Sequence, residues 1–254
     1  TQSASLQPKH LLSHLDASDH LPFFTWSCSD MGWKKIMALN PVDSIEIYDY
    51  SEINQLIRFT KQHRGQLIGG FLNYNLGLKI KGIQTRQDDS LSIPLVKFAA
   101  YRNYVEFKKD HCIVFYQDDK FLDEINEIND RPLKFSNNIK RCPFKINLPQ
   151  KRYEHQFKKI IEYIKCGDIY QTNYTHQLTG NSSTAGNLLY LDYLKTNPVD
   201  FAVYFGCEDF NVISLSPERF ISITERQIAA YPIKGTIPRG KTPDEDRLNK
   251  RSLI

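Results

Sequence analysis

A lysine lies within a short apolar segment near the carboxyl end of the sequence. Lys234 stands in Tyr-Pro-Ile-Lys-Gly-Thr-Ile, residues 231–237, and a Pro-Arg-Gly turn follows. Desolvation disfavours the ammonium form of a lysine, so a buried amine can act as a nucleophile near neutral pH. An edge-strand lysine, with a packed stem and its charge in water, is the structural alternative. The segment alone does not separate these two interpretations.

A carboxylate in a second apolar context is a possible partner for this lysine. Glu218 belongs to Ser-Pro-Glu-Arg-Phe, residues 216–220, and leads into an apolar run that reaches residue 223. A carboxyl group in apolar surroundings holds its proton more tightly and can then serve as a general acid. An ion pair of Glu218 with Arg219 or Lys234, in a purely structural role, is the alternative.

Amide side chains recur in a third segment. The sequence predicts a helix over 153–165, with Gly167 as its stop, and a strand over 169–178. Along that strand, Gln171 and Asn173 share one face with further amide and hydroxyl residues. Such a face is either an exposed sheet surface or the wall of a polar cavity.

The elements that must position these residues mix helices and strands without a regular alternation. Further helices are predicted over 52–63 and 187–195. The predicted strands cover residues 43–48, 66–75, 95–104, a hairpin over 104–116, 201–205 and 211–216. This mixture favours an α+β fold.

A polar stretch that contains several prolines divides the chain. Residues 131–150 are rich in Asn, Lys and Pro and predict a surface linker. The linker separates an amino-terminal region, residues 1–130, from a carboxyl-terminal region, residues 151–254, that carries all three segments.

Composition and charge exclude several classes of function. The 33 basic and 29 acidic residues give a net charge of +4, too small and too dispersed to predict a nucleic-acid partner. No apolar stretch reaches the roughly 18 residues of a membrane span. Five cysteines without a Cys-x-x-Cys pair predict reduced thiols in a cytoplasmic protein. The acidic run 244–246 predicts a helix start, so no metal ligand is predicted within the sequence.

The three segments, in this order, resemble the chorismate-utilising enzymes from about residue 153 onward. The resemblance implies antiparallel sheets packed together with helices outside, a domain incomplete at its carboxyl end, and chorismate as substrate. Lys234 is typical of the aminodeoxychorismate synthase component I branch, whereas anthranilate synthases carry alanine there. Isochorismate and salicylate synthases place a water-activating lysine where this chain has Gln171, and an amide cannot act as that base. Asn173 also resembles the aminodeoxychorismate branch.

The resemblance further implies a mechanism and partners. Lys234 would attack C2 of chorismate while Glu218 protonates the departing C4 hydroxyl, and ammonia would then expel the lysine, with Gly235 and Thr236 as contacts beside the ring. A glutamine amidotransferase subunit would supply the ammonia. Mg²⁺ is implied as cofactor, but the family's ligands for it lie beyond the end of this sequence. The chain alone is therefore predicted to be inactive and poorly stable.

Two alternatives stay open at the level of sequence. Anthranilate synthase component I, the enzyme of tryptophan biosynthesis, would add the amine at C2 and release pyruvate. A non-catalytic ligand-sensing or subunit-docking fragment is the other alternative. Residues 10–15, His-Leu-Leu-Ser-His-Leu, stand where the family's tryptophan-binding motif begins.

Overall fold

Antiparallel strand pairs form a seven-stranded and a three-stranded sheet that stack on each other, and two separate two-stranded pairs. The structure is a computed structural model that describes residues 2–4, 6–15, 20–30, 32–84, 91–134, 143–233 and 235–253. Its described strands are β1 (Gln2–Ala4), β2 (Phe23–Trp26), β3 (Lys35–Ala38), β4 (Asp43–Ile47), β5 (Leu67–Leu72), β6 (Val96–Tyr101), β7 (Tyr104–Phe107), β8 (Cys112–Phe115), β9 (Lys145–Ile146), β10 (Leu178–Thr179), β11 (Phe201–Gly206), β12 (Asn211–Ser216), β13 (Ser222–Thr224) and β14 (Gln227–Ala229). Seven strands form the larger sheet in the order β1-β8-β7-β3-β2-β11-β12, and β4-β6-β5 form the smaller one.

Helices lie outside the two sheets. The described helices are α1 (Pro8–His14), a short 3-10 helix (Tyr50–Glu52), α2 (Asn54–Gln62), α3 (Tyr74–Ile80), α4 (Asp119–Asp130), α5 (Gln150–Cys166), α6 (Gly186–Thr196) and α7 (Pro243–Leu253). The predicted α+β class, with antiparallel sheets packed together and helices outside, is confirmed.

Strand alternation sorts the apolar side chains of the larger sheet onto two buried faces. In β2, Phe24 belongs to a core beneath α1, α4 and α6, while its neighbour Phe23 packs toward the smaller sheet. In β11, Tyr204 and Phe205 divide in the same way. Successive side chains of a strand point to opposite faces, so both faces of this sheet are covered.

The larger sheet includes strands from both sides of the predicted linker. Strand β11 pairs with β2, and Val203 lies opposite Thr25. Helix α6 is fastened to α1 by the buried Asn187, whose Nδ2 donates to the carbonyl oxygens of Leu12 and Leu15 at 2.9 and 2.8 Å. Residues 186–216 therefore complete the core of the amino-terminal region. The division at residues 131–150 stays a prediction, but the two regions share one sheet.

Buried side chains are confined to one part of the molecule. We call residues 6–134 and 186–216, as described, the packed body, because all three apolar cores lie there. We call residues 143–185 and 217–253 the motif segments. None of their described residues is buried.

Most of the predicted elements are confirmed, including α2, α5 with its stop at Gly167, α6, and the hairpin of β7 and β8. Gly167 has the left-handed φ of +80° that a helix stop favours. The strand predicted over 66–75 ends at Leu72, because the Asn73 side chain accepts from the Asn75 N–H at 3.0 Å and starts α3.

The strand predicted over 169–178 is wrong. Only Leu178–Thr179 is a strand, paired with β9 inside the predicted linker. The preceding residues contact α5 through side chains instead. The Tyr174 ring stacks on Tyr153 at 5.0 Å, and its hydroxyl donates to Gln156 Oε1. The alternating polarity is not matched by alternating burial, because within residues 169–178 only Ile169 and Tyr174 are half-buried and the rest are exposed.

Candidate functional site

Arg219 brings two of the three segments together. Its guanidinium lies 5.3 Å from the centre of the Phe201 ring and 5.8 Å from that of Tyr231. Phe201 begins β11 in the packed body, and Tyr231 begins the segment that contains Lys234. Guanidinium groups are attracted to the negative faces of aromatic rings at such distances. The arginine after Glu218 therefore ties the lysine segment to the edge of the sheet.

Glu218 lies where the chain leaves the larger sheet. Strand β12 ends at Ser216, whose hydroxyl donates to the Glu218 carbonyl at 2.8 Å and accepts from the Glu218 N–H at 3.4 Å. The expected apolar enclosure is absent from the described residues, because Phe220 is 88% and Ile223 64% exposed. The hairpin of β13 and β14 forms its own two-stranded sheet and buries none of these side chains. Glu218 is exposed, which corrects the expectation of an apolar site around it.

Lys234 itself lies outside the described residues. The flanking Ile233 is 61% exposed and Pro232 is exposed, while Ile237 is half-buried. Gly235 has a φ of +73°, a left-handed conformation that favours glycine, and an added Cβ would lie 3.0 Å from Leu253 of α7. Thr236 is exposed. The expected desolvation of this segment is therefore not provided by the described residues around it.

A bidentate ion pair fixes the turn that follows the lysine segment. Arg239 donates to Asp246 through Nε at 2.6 Å and Nη2 at 2.7 Å, and the Gly240 N–H donates to Asp246 Oδ1 at 2.9 Å. The hydrogen bond from Arg239 lowers the pKa of Asp246 below its ordinary value. Asn249 of α7 donates to the Pro238 carbonyl at 2.9 Å. The Pro-Arg-Gly turn thus docks on the first turns of α7.

The acidic run at the start of α7 is engaged by neighbouring donors. Asp244 pairs with Arg247 at 2.9 Å, and Glu245 Oε2 accepts from the Lys241 N–H at 2.7 Å. These residues begin a helix, as predicted. Within the described ranges, no cluster of three or more His, Cys, Asp or Glu residues has a metal-binding arrangement. Mg²⁺ has no fitting set of ligands in this part of the chain, because it prefers several carboxylate or water oxygens around it.

Gln171 and Asn173 lie on the exposed segment that runs back along α5. Both side chains are exposed. Further along, Tyr174 and Thr175 line a cavity of about 280 Å³ together with Arg152 of α5. No hydrogen bond or ion pair between described residues joins Gln171 or Asn173 to Glu218. The structure therefore brings the second and third segments together and leaves the first beside α5.

Two contacts of the site could not be inferred from the sequence. The ring cluster of Tyr153, Tyr174 and His176 holds the first segment to α5 at centroid separations of 5.0 and 6.2 Å. The sequence suggests Arg219 only as a partner for Glu218, whereas the structure places its guanidinium over the rings of Phe201 and Tyr231. The aromatic residues at 201 and 231 are the only signal for it, and they are distant in sequence.

Comparison with known proteins identifies the family. The model for chorismate binding enzymes matches residues 22–254. The chain belongs to the chorismate-binding enzyme family. Aminodeoxychorismate synthase component 1 of Klebsiella aerogenes is 26% identical over 72% of this chain and 41% of its own length. Anthranilate synthase component 1 of Cereibacter sphaeroides is 32% identical over 42% of this chain and 22% of its own length.

Solved structures agree on the fold. Anthranilate synthase component I from Streptococcus pneumoniae TIGR4 superposes with a TM-score of 0.62 at 18% identity, over 77% of this chain and 53% of that one. The menaquinone-specific isochorismate synthase from Escherichia coli gives 0.61 at 11% identity, over 98% of this chain and 56% of its own. The chain spans about half the length of these proteins. No helix among the described residues is long and apolar enough to cross a membrane.

Proposed function

We propose that this protein is an aminodeoxychorismate synthase component I that acts on chorismate and ammonia. The observation that carries this proposal is Lys234 in Pro-Ile-Lys-Gly-Thr, where the resembling anthranilate synthases carry alanine. Gln171 supports it, because an amide cannot activate water as the isochorismate synthases require. A Klebsiella relative with this name, aligned over 72% of the chain, supports it further.

The proposed chemistry is two successive displacements on the chorismate ring. The neutral amine of Lys234 forms a bond to C2, both ring double bonds shift by one position toward C4, and the C4 hydroxyl departs as water with a proton from Glu218. Ammonia then bonds to C4 and loses a proton, both ring double bonds shift back, and the lysine amine leaves C2. The net change replaces the hydroxyl of chorismate by an amino group and releases water, which gives 4-amino-4-deoxychorismate on the route to p-aminobenzoate and folate.

Each residue has a task that its chemistry allows. Hydroxide is a poor leaving group, so the C4 oxygen needs a proton donor such as Glu218. Lysine is a good nucleophile only when neutral, so the site must desolvate Lys234 when substrate is bound. Gly235 and Thr236 offer a backbone N–H and a hydroxyl next to the ring, and Gln171 and Asn173 offer amides to its substituents. A glutamine amidotransferase subunit would deliver ammonia to this site.

The competing product is anthranilate, since relatives with that activity in their names match the chain at similar identity. In the test, the protein encoded by the complete reading frame is incubated with chorismate, ammonium and Mg²⁺. The reaction products are separated by chromatography and identified by mass. We expect 4-amino-4-deoxychorismate without anthranilate or pyruvate.

Lys234→Ala should lower the rate at which 4-amino-4-deoxychorismate forms by about 10³-fold or more, as losses of other covalent nucleophiles do. Lys241→Ala, a nearby exposed lysine, is the matched control and should keep full activity. Formation of anthranilate with pyruvate would overturn the proposal.

A further inference from the structure

Four side chains form a row from the amino-terminal region to the lysine segment. The Trp33 ring meets the Phe201 ring edge-on, with the ring centroids 6.0 Å apart and an interplanar angle of 75°. The Arg219 guanidinium lies 5.3 Å from the centre of the same Phe201 ring and 5.8 Å from that of Tyr231. Edge-to-face rings attract each other at such distances, and so do a guanidinium and a ring face. We call these four residues the aromatic row.

A hydrogen-bond network around Asp200 holds the first member of the row. Asp200 Oδ1 accepts from the Ser29 N–H at 2.9 Å. The Ser27 hydroxyl and the Cys28 thiol donate to the same oxygen, both at 3.1 Å. Hydrogen bonding to Ser29 contributes most to lowering the pKa of Asp200 below its ordinary value. The Trp33 N–H donates to the Asp200 carbonyl at 3.0 Å, so the loop between β2 and β3 is fixed to the start of β11.

A glycine lets the loop pass close to this network. A Cβ added at Gly32 would overlap the Ser27 hydroxyl and the carbonyl oxygen of Asp200. Only glycine lacks that atom, so the backbone can approach closely at this one position. Gly32 therefore allows the next residue, Trp33, to reach the ring of Phe201.

The other end of the row lies beside both residues that are proposed for chemistry. Arg219 follows Glu218 directly, and Tyr231 stands three residues before Lys234. Arg219 is half-buried, whereas Glu218 and Phe220 on either side of it are exposed. The side chain of Arg219 is thus the contact that restrains this stretch of the chain. It joins the stretch to the lysine segment and to the packed body at the same time.

We propose that Arg219 and Trp33 are positioning residues for the reaction on chorismate. Arg219 sets the separation between the segment of Glu218 and the segment of Lys234, and Trp33 holds the Phe201 ring against which Arg219 rests. Neither of the two forms or breaks a bond in the reaction. The inference rests on the proposed roles of Glu218 and Lys234. A displacement of about 1 Å in a reacting group can cost about 10²-fold in rate, so this separation matters for catalysis.

The experiment measures steady-state consumption of chorismate by the complete enzyme with ammonium and Mg²⁺, whichever product forms. Arg219→Ala should lower kcat by about 10²-fold and Trp33→Ala by about tenfold. KM should stay within about threefold of the parent, because misplaced reacting groups slow the chemical step and leave substrate binding intact. Trp33→Phe keeps a ring against Phe201 and should restore most of the lost kcat. Arg226→Ala is the matched control, since Arg226 is exposed in the turn between β13 and β14, and it should behave like the parent.

A double variant tests whether the two residues act through one path. In the Arg219→Ala background, Trp33→Ala should lower kcat by less than about twofold further, because residues that act in series are not additive. Trp33 is 47% exposed, so its truncation should leave the fold intact, and circular dichroism with urea denaturation checks this for every variant.

Several results would contradict the proposal. Parental kcat in both single variants would overturn it, and so would a loss that appears only as a raised KM. Independent, multiplicative losses in the double variant would show that Trp33 does not act through Arg219. A parent enzyme that consumes no chorismate would refute the proposed function itself, and this inference with it.

Discussion

The packed body and the motif segments differ in what holds their side chains in place. In the packed body, residues such as Phe24, Tyr204 and Ile125 are fully buried among many neighbours. In the motif segments, a few specific contacts do this work, among them Arg219 over two rings and the Arg239–Asp246 ion pair. The residues proposed for chemistry therefore lie in the part of the chain with the least buried surface.

This difference separates the folding of the chain from its function. Burial of apolar area is the main favourable contribution to folding, and among the described residues the fully buried apolar side chains all lie in the packed body. Segments with few buried contacts open at low free-energy cost. We therefore expect the packed body to fold as one cooperative unit and the motif segments to gain order from further contacts.

The largest expected effect comes from matched phenylalanine truncations. Phe24→Ala removes a fully buried ring that lies 5.8 Å from Tyr190 and 6.0 Å from Trp26. It should lower the free energy of unfolding by about 3–5 kcal/mol, because the ring leaves a cavity. Phe157→Ala removes a ring of α5 that is 45% exposed, and it should change the free energy of unfolding by less than about 1 kcal/mol. Urea denaturation followed by tryptophan fluorescence measures both; equal losses would remove the distinction between the two regions.

A smaller effect is expected at the polar link between α6 and α1. Asn187 is buried, and its amide satisfies the carbonyl oxygens of Leu12 and Leu15. Asn187→Ala leaves both acceptors without that donor and should cost about 2–3 kcal/mol. Gln150→Ala in α5 removes an exposed amide that donates to Glu154 at 2.8 Å, and it should be near neutral. The same denaturation assay distinguishes them, and a neutral Asn187 variant would show that this amide does not stabilise the contact between α6 and α1.

The smallest effect is a pH dependence of stability within the packed body. Lys97, only 7% exposed, donates to Glu46 Oε1 at 2.5 Å across β4 and β6, and this hydrogen bond lowers the pKa of Glu46 below its ordinary 4.5. A depressed carboxyl pKa stabilises the fold above the unfolded value, and that stability is lost as the pH falls through the folded value. Stability should therefore decrease as the pH falls below 4.5.

Two variants test the source of that pH dependence. Glu46→Gln should flatten the acid limb and cost about 1 kcal/mol at neutral pH, less than a fully buried pair because Glu46 is partly open to solvent. Asp246 also has a lowered pKa, through Arg239, but it lies in the motif segments. Asp246→Asn should leave the pH profile of global unfolding unchanged. An equal effect of the two variants would mean that α7 unfolds together with the packed body.

The sequence correctly predicts those helices and strands whose periodic apolar positions are buried or whose end is marked by a turn residue. The hairpin of β7 and β8 and the helix α6 both have apolar positions that are buried in the structure. Helix α5 was predicted from its period and its glycine stop alone, and it forms although none of its residues is fully buried among the described residues. The strand prediction over 169–178 failed because the segment packs on α5 through side chains such as Tyr174, a contact that alternating polarity does not reveal.

The family was predictable from the sequence, but the environment of the candidate site was not. The order of the three segments led to the family that the comparisons confirm. The neighbouring apolar residues in the sequence predict that Glu218 is buried, yet Phe220 and Ile223 are exposed in the structure. Whether an apolar residue is buried depends on long-range packing, and local sequence carries no information about a partner that packs from elsewhere. Arg219 was missed for the same reason, since its two rings are distant in the chain.

The central claim is that Lys234 is a nucleophile toward chorismate, and trapping its adduct tests this most directly. The complete enzyme would be incubated with chorismate in the absence of ammonia, quenched, digested and examined by peptide mass spectrometry. The account predicts that the peptide containing Lys234 gains the mass of chorismate less one water. Lys234→Ala should show no adduct on any peptide, and Lys241→Ala should show the parental one. An unmodified Lys234 peptide from an enzyme that still converts chorismate when ammonia is added would contradict the account.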